Sequence, residues 1–169
     1  PTLAEVTPVI NPTNDTTPNY SFSSSQSGTV TYGGSCRQDN SSITASDNIT
    51  ITFGTNSPLA EDNYTNCTIT VTDDASNVSA TLGIIPFEID TTRPTVTSTS
   101  PSNLDNITSV SSSISVTFSE AMDNVSTNTS GTTCSGSLQL SANDFSNCIQ
   151  MSSSPSSSDN TTFELDPSD

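Results

Sequence analysis

The chain contains no histidine, no lysine and no tryptophan, and its only basic side chains are Arg37 and Arg93. Without histidine a Ser-His-Asp relay cannot be built. Without tryptophan there is no indole platform on which a sugar could stack. Against the two bases stand 18 acids, a formal net charge of −16 over 169 residues. A phosphate backbone would be repelled over the whole surface, so no nucleic-acid partner is expected, whereas divalent cations would be attracted. Charged residues are only 12% of the chain, so the acidity reflects missing bases rather than an acidic tail. Long apolar runs are also missing. The longest near-continuous one, residues 82 to 87, is far too short for a transmembrane segment. Pro1 follows no initiator methionine and no basic-apolar leader, so a processed chain or an excised piece is expected.

What the chain has in abundance is hydroxyl: Ser and Thr make up roughly 37%, against 29% hydrophobic and 5% aromatic residues. Such a composition could be disordered, but the apolar residues alternate with polar ones, which a disordered chain has no reason to do. In "NITITF" Ile49, Ile51 and Phe53 point one way and Thr50 and Thr52 the other; in "CTITVTD" Cys67, Ile69 and Val71 do the same. "YSF" at 20–22 and "GTVTYGG" at 28–34 add shorter strands, "LAEVTPVI" opens this set and "ATLGIIPFEI" closes it. The pattern restarts after residue 93: "SISVTF" buries Ile114, Val116 and Phe118, "SLQL" buries Leu138 and Leu140, and "CIQM" and "TTFEL" add Ile149, Met151, Phe163 and Leu165. No window holds a 3.6-residue apolar period. Short strands with frequent turns predict an all-β protein of two β-sandwich modules, residues 1–92 and 93–169. Between them lies "EIDTTRPTVTSTSP"; Pro94 lacks an amide hydrogen and keeps Arg93 extended, as in a short, stiff joint.

Four cysteines allow three pairings, and none has C-x-x-C spacing. The joint leaves two on each side, which favours Cys36–Cys67 and Cys134–Cys148 and an oxidising compartment. Of 16 asparagines, 11 begin an N-x-S/T sequon: Asn14, Asn19, Asn40, Asn48, Asn63, Asn66, Asn77, Asn106, Asn124, Asn128 and Asn160. About six would arise by chance at this hydroxyl content, so the sequons are glycosylation candidates that Asn-rich turns meeting Thr-rich strands also produce. Carboxylates cluster at Glu61/Asp62, Asp73/Asp74, Asp90 and Glu120/Asp123. A carboxylate pair could serve glycoside hydrolysis, but nothing else in the sequence supports it, so these are read as solvated loop acids, and no catalytic residues or organic cofactor are assigned. For calcium, which takes hard oxygen ligands, the candidates are Asp73, Asp74, Asn77, Asp90, Glu120 and Asp123; their alternative role is to form turns.

The segments "NPTNDTTPNYSFSSSQSGTVTYGGSC", "NITITF" and "NYTNCTITVTDDASNVSATLGIIPFEIDTTRP" resemble the bacterial Ig-like repeats found in tandem in very long surface proteins. "TRPTVTSTSPSNLDNITSVSSSISVTFSEAMDNVSTNT" and "CSGSLQLSANDFSNCIQM" resemble the related Ig-like domain of S-layer-associated proteins and adhesins. The family's "TDxAGN" motif corresponds to Thr72–Asn77 with Ser76 in place of its glycine, and "FSExMD" corresponds to Phe118–Asp123. The family pattern continues for several strands past a segment like "TTFELDPSD", so the resemblance implies a second sandwich lacking its C-terminal strands. Either the chain is part of a longer repeat protein, or a neighbouring subunit supplies the missing strands by donor-strand complementation. The expectation is a non-enzymatic extracellular or cell-surface structural protein: a stalk, adhesin or self-assembling filament whose partners are copies of itself or adjacent Ig-like repeats. The alternative is a module that binds glycan or host ligand through the loops at one end of a sandwich.

Overall fold

Alternation in the first half of the chain is realised residue by residue in the computed structural model, which describes residues 1–36, 41–102, 112–123, 125–127 and 129–167. The chain divides into two compact units, Pro1–Thr92 and Arg93–Asp169.

In the first unit, β1 (Leu3–Thr7), β2 (Asn19–Ser24) and β5 (Ser46–Thr52) form one antiparallel sheet in the order β1-β2-β5. A second sheet runs β4-β3-β7-β8, from β3 (Gly28–Gly33), β4 (Ser41–Ile43), β7 (Thr68–Thr72) and β8 (Leu82–Gly83). A two-stranded pair joins β6 (Asp62–Tyr64) to β9 (Phe87–Ile89). The period-2 pattern decides what each strand buries: Tyr20 and Phe22 from β2, Ile51 from β5, Val30 from β3, and Ile69 and Val71 from β7. Hydroxyl residues occupy the alternate positions; the threonines of β7 are half-exposed, and Ser21 of β2 is itself buried and bonded to Thr50 Oγ1 at 2.9 Å.

Fifteen buried residues form one core here. All six aromatic residues of the unit belong to a single network. Phe53 is its hub, with ring centroids 6.0 Å from Tyr20, 6.2 Å from Tyr32 and 6.3 Å from Phe87. Tyr20 continues to Phe22, and Phe87 to Tyr64 at 5.1 Å. The aliphatic residues of this core thus pack around a few large rings, each burying more area than any aliphatic side chain.

The closing run "ATLGIIPFEI" is not one strand. Pro86 cannot donate to a ladder, and the chain breaks there into β8, paired with β7, and β9, paired with β6.

In the second unit, β10 (Val96–Ser100), β11 (Ile114–Phe118) and β12 (Thr162–Leu165) form an antiparallel sheet in the order β10-β11-β12. Its core is smaller: Val116, Met151 and Leu165, with Ile114, Phe118, Leu138 and Leu140 packed half-buried against them. "SLQL" and "CIQM" form no strands; they hold to the rest through isolated bridges at Leu138 and Met151. Ile149, expected inside, is 37% exposed, because without a regular strand nothing enforces the alternation that would turn it inward. All five residues of β10 are exposed.

Candidate functional site

The first unit's N- and C-terminal segments meet in a short parallel patch. The Thr13 amide donates to the Glu88 carbonyl at 3.0 Å, and the Asp90 amide donates to the Thr13 carbonyl at 2.9 Å. These two bonds make Thr13 and Ile89 a parallel bridge. The Glu88 amide adds a third bond, to Asn11 Oδ1 at 2.9 Å. Tension that enters before Asn11 and leaves after Asp90 would pull two parallel strands in opposite directions along their length. Such a load falls on all the bonds together instead of one after another.

The two disulfides pair Cys36 with Cys67 and Cys134 with Cys148, and among the described residues no cysteine is free. Cys36–Cys67 joins the neighbouring strands β3 and β7 just beyond the Gly33–Thr68 end of their ladder. It therefore lies within one sheet, not between two. Gly34, at φ +72°, makes the approach: any Cβ there would run into the Asn66 carbonyl. Asn66 Oδ1 also accepts from the Ser35 amide and hydroxyl, both at 2.8 Å.

The predicted cation ligands are found in separate roles. Asp73 and Asn77 come together, but on each other: Asp73 Oδ1 accepts from the Asn77 amide at 2.8 Å, and the Asn77 side-chain amide donates to both Asp73 oxygens at 3.2 and 3.1 Å. These bonds hold the Asp73 carboxyl below its usual pKa range. Asp74 is exposed in the same turn. Asp90 Oδ1 accepts from the Thr92 amide at 3.0 Å. Glu120 and Asp123 belong to the second unit, where Glu120 Oε1 is buried with no hydrogen-bond partner among the described residues. No group of three or more Asp, Glu, His or Cys that could hold a metal occurs among the described residues.

Seven of the sequon asparagines, Asn14, Asn19, Asn48, Asn63, Asn66, Asn77 and Asn160, are exposed; Asn40, Asn106, Asn124 and Asn128 lie outside the described residues. Four of the seven share one cause. In Asn19-Tyr20-Ser21, Asn48-Ile49-Thr50, Asn63-Tyr64-Thr65 and Asn66-Cys67-Thr68 the middle residue turns toward the core, so alternation itself writes polar-apolar-hydroxyl triplets. Asn77 differs, since its side-chain nitrogen is committed to Asp73.

Sequence reasoning missed two features. One is the hold of Glu61, read only as one of a pair of loop acids, on Thr91 and Thr92, from which its carboxylate accepts; a contact across 30 residues leaves no periodic trace. The other is the loop 141–148 of the second unit, closed at Cys148 by the disulfide. There Ser141 Oγ accepts from the Asn143 and Phe145 amides and donates to the Asn147 carbonyl. Asp144 and Phe145 both have positive φ, +54° and +60°, and Phe145 is 59% exposed. A bulky residue held in the left-handed region and turned to solvent is uncommon. Elsewhere in the second unit an open depression of about 560 Å³ is lined by Ser156, Ser157, Ser158, Asp159, Thr162 and Glu164, with no aromatic wall.

The comparisons agree with the architecture. Family models described as bacterial Ig-like domains match residues 9–91 and residues 90–169. The chain belongs to this family, as two tandem bacterial Ig-like domains, a class of structural modules and not an enzymatic one. No curated protein and no solved structure matches it. No helix among the described residues is long and apolar enough to cross a membrane.

Proposed function

We propose that the chain is a non-enzymatic, extracellular load-bearing segment of a cell-surface stalk, adhesin or self-assembling filament. The observation that carries this reading is the parallel patch of Asn11–Thr13 against Glu88–Asp90. It couples the segments through which a tandem domain receives and passes on tension. The disulfides support it, since each withholds a loop from extension: Cys67 is 31 positions after Cys36, and Cys148 is 14 positions after Cys134. Assembly with a neighbouring copy or an adjacent Ig-like repeat would use β10. Its inner edge pairs with β11 and its five residues are solvent-exposed, so an incoming strand could extend the sheet. Stretching single chains held at both ends tests the load-bearing role. The first unit should give way in one abrupt step, and gradual lengthening at low force would refute the proposal.

A second reading is favoured by the loop at Phe145. A rigid, solvent-facing aromatic on a disulfide-anchored loop is suited to stacking on a glycan or entering a pocket of a host protein. Saturable binding on a glycan array that is lost in Phe145→Ser would establish it, and an array without signal would leave the structural role alone.

A further inference from the structure

The exit strand of the first unit does not end where its ladder ends. Beyond Ile89, the Thr91 amide and hydroxyl both donate to Glu61 Oε2, at 3.2 and 2.7 Å, and the Thr92 hydroxyl donates to Glu61 Oε1 at 2.7 Å. Both oxygens of one carboxylate are therefore used to hold two consecutive residues. Asp90 Oδ1 shapes the same segment by accepting from the Thr92 amide. Glu61 stands directly before β6, whose Asp62 pairs with Ile89. On the other side of the unit boundary, the second unit takes hold again at once. The Thr95 amide donates to Ser119 Oγ at 3.0 Å, and the Ser119 amide donates to the Thr95 carbonyl at 2.8 Å. Only Arg93 and Pro94 lie between these two holds.

We propose that Glu61 is a latch that sets the length of the joint: while its carboxylate holds both threonines only Arg93 and Pro94 lie outside the two holds, and with it neutralised or removed Thr91 is released and Thr92 keeps only its amide bond to Asp90. Each residue released adds at most about 3.6 Å of reach, and Thr91 would regain the backbone freedom that the latch removes. Glu61 acts on position alone; it performs no chemistry.

The latch is acid-sensitive. Bonds from the Thr91 hydroxyl, then the Thr92 hydroxyl and the Thr91 amide, hold the Glu61 carboxyl below its usual pKa. The other charged groups on the segments paired here are Asp62, Glu88 and Asp90, with Arg93 following in the chain. Because the folded pKa is depressed, the latch is complete above the unfolded glutamate value of about 4.3 and opens as pH falls through the lower folded value.

The test is ¹⁵N relaxation and amide exchange on the full chain. At neutral pH, Thr91 and Thr92 should be as ordered as Glu88 and Ile89, with order first falling at Arg93. In Glu61→Ala the fall should begin at Thr91, with exchange at Thr91, whose amide Glu61 holds, at least about tenfold faster, while Glu88 and Ile89 keep their protection. Thr91→Val with Thr92→Val, which leaves Glu61 in place, should also loosen residues 91 and 92. Thr91 and Thr92 remaining ordered in both variants, or mobile already in the unaltered chain at neutral pH, would overturn the proposal.

Discussion

A single residue shows how the first unit departs from its family's pattern. Ser76 stands where the motif has glycine, and it adopts the glycine conformation, φ +67°, with its amide donating to the Asp73 carbonyl at 2.9 Å. The turn is kept, and a side chain is carried in a region that costs a non-glycine residue about 1 kcal/mol. Ser76→Gly should therefore raise the stability of the first unit by up to about 1 kcal/mol, read from its denaturation midpoint. Asp159 makes a second prediction at this scale. Its Oδ1 accepts from the Thr162 and Thr161 amides at 2.8 and 2.9 Å and from the Ser157 hydroxyl at 3.1 Å, which brings its pKa down to about 2. Its stabilisation is present above the unfolded value of about 3.9 and is lost as pH falls toward 2. Amide protection of Thr161 and Thr162 should persist at pH 4 and decay below it; decay already complete by pH 4 would contradict this.

Among the elements, legibility followed burial. Strands β2, β5 and β7 were readable because each sets two or more core-facing apolar side chains at alternate positions, and a one-residue slip would turn the whole set outward. The same rule failed for "SLQL" and "CIQM", where a disulfide and isolated bridges hold the chain in place of a ladder. The break at Pro86 was signalled by proline chemistry, although not which sheet each half would join. The cation candidates were read from their place in loops and about the joint, with turn formation as the alternative, and Asp73 and Asn77 do bond to each other across their turn. At this scale the aromatic network gives the sharpest prediction. Phe53 is fully buried and touches three rings, so Phe53→Ala should cost about 3–5 kcal/mol. A drop of less than about 1 kcal/mol in chemical denaturation would show that the rings are not what holds the two sheets together.

At the scale of the whole molecule the proposed function is mechanical, with tension along the chain resisted by the parallel patch and limited by the disulfides. In the chain-entropy picture the two closed loops stabilise their units by about 4 and 3 kcal/mol, and under load they also shorten what can be drawn out. Reduction should lengthen the extension released by the first unit by about 100 Å and that of the second by about 50 Å, from the 31 and 14 residues each bridge withholds. The direction of loading separates the patch from the bridges. With handles at the two chain ends, Asn11–Thr13 and Glu88–Asp90 are sheared; with handles at Asn14 and Thr92, the same bonds are opened one at a time from one end. Single-molecule rupture force compared between these two attachments is the most direct measurement. The account predicts a clearly higher force for the end-to-end geometry, and equal forces in the two would contradict it.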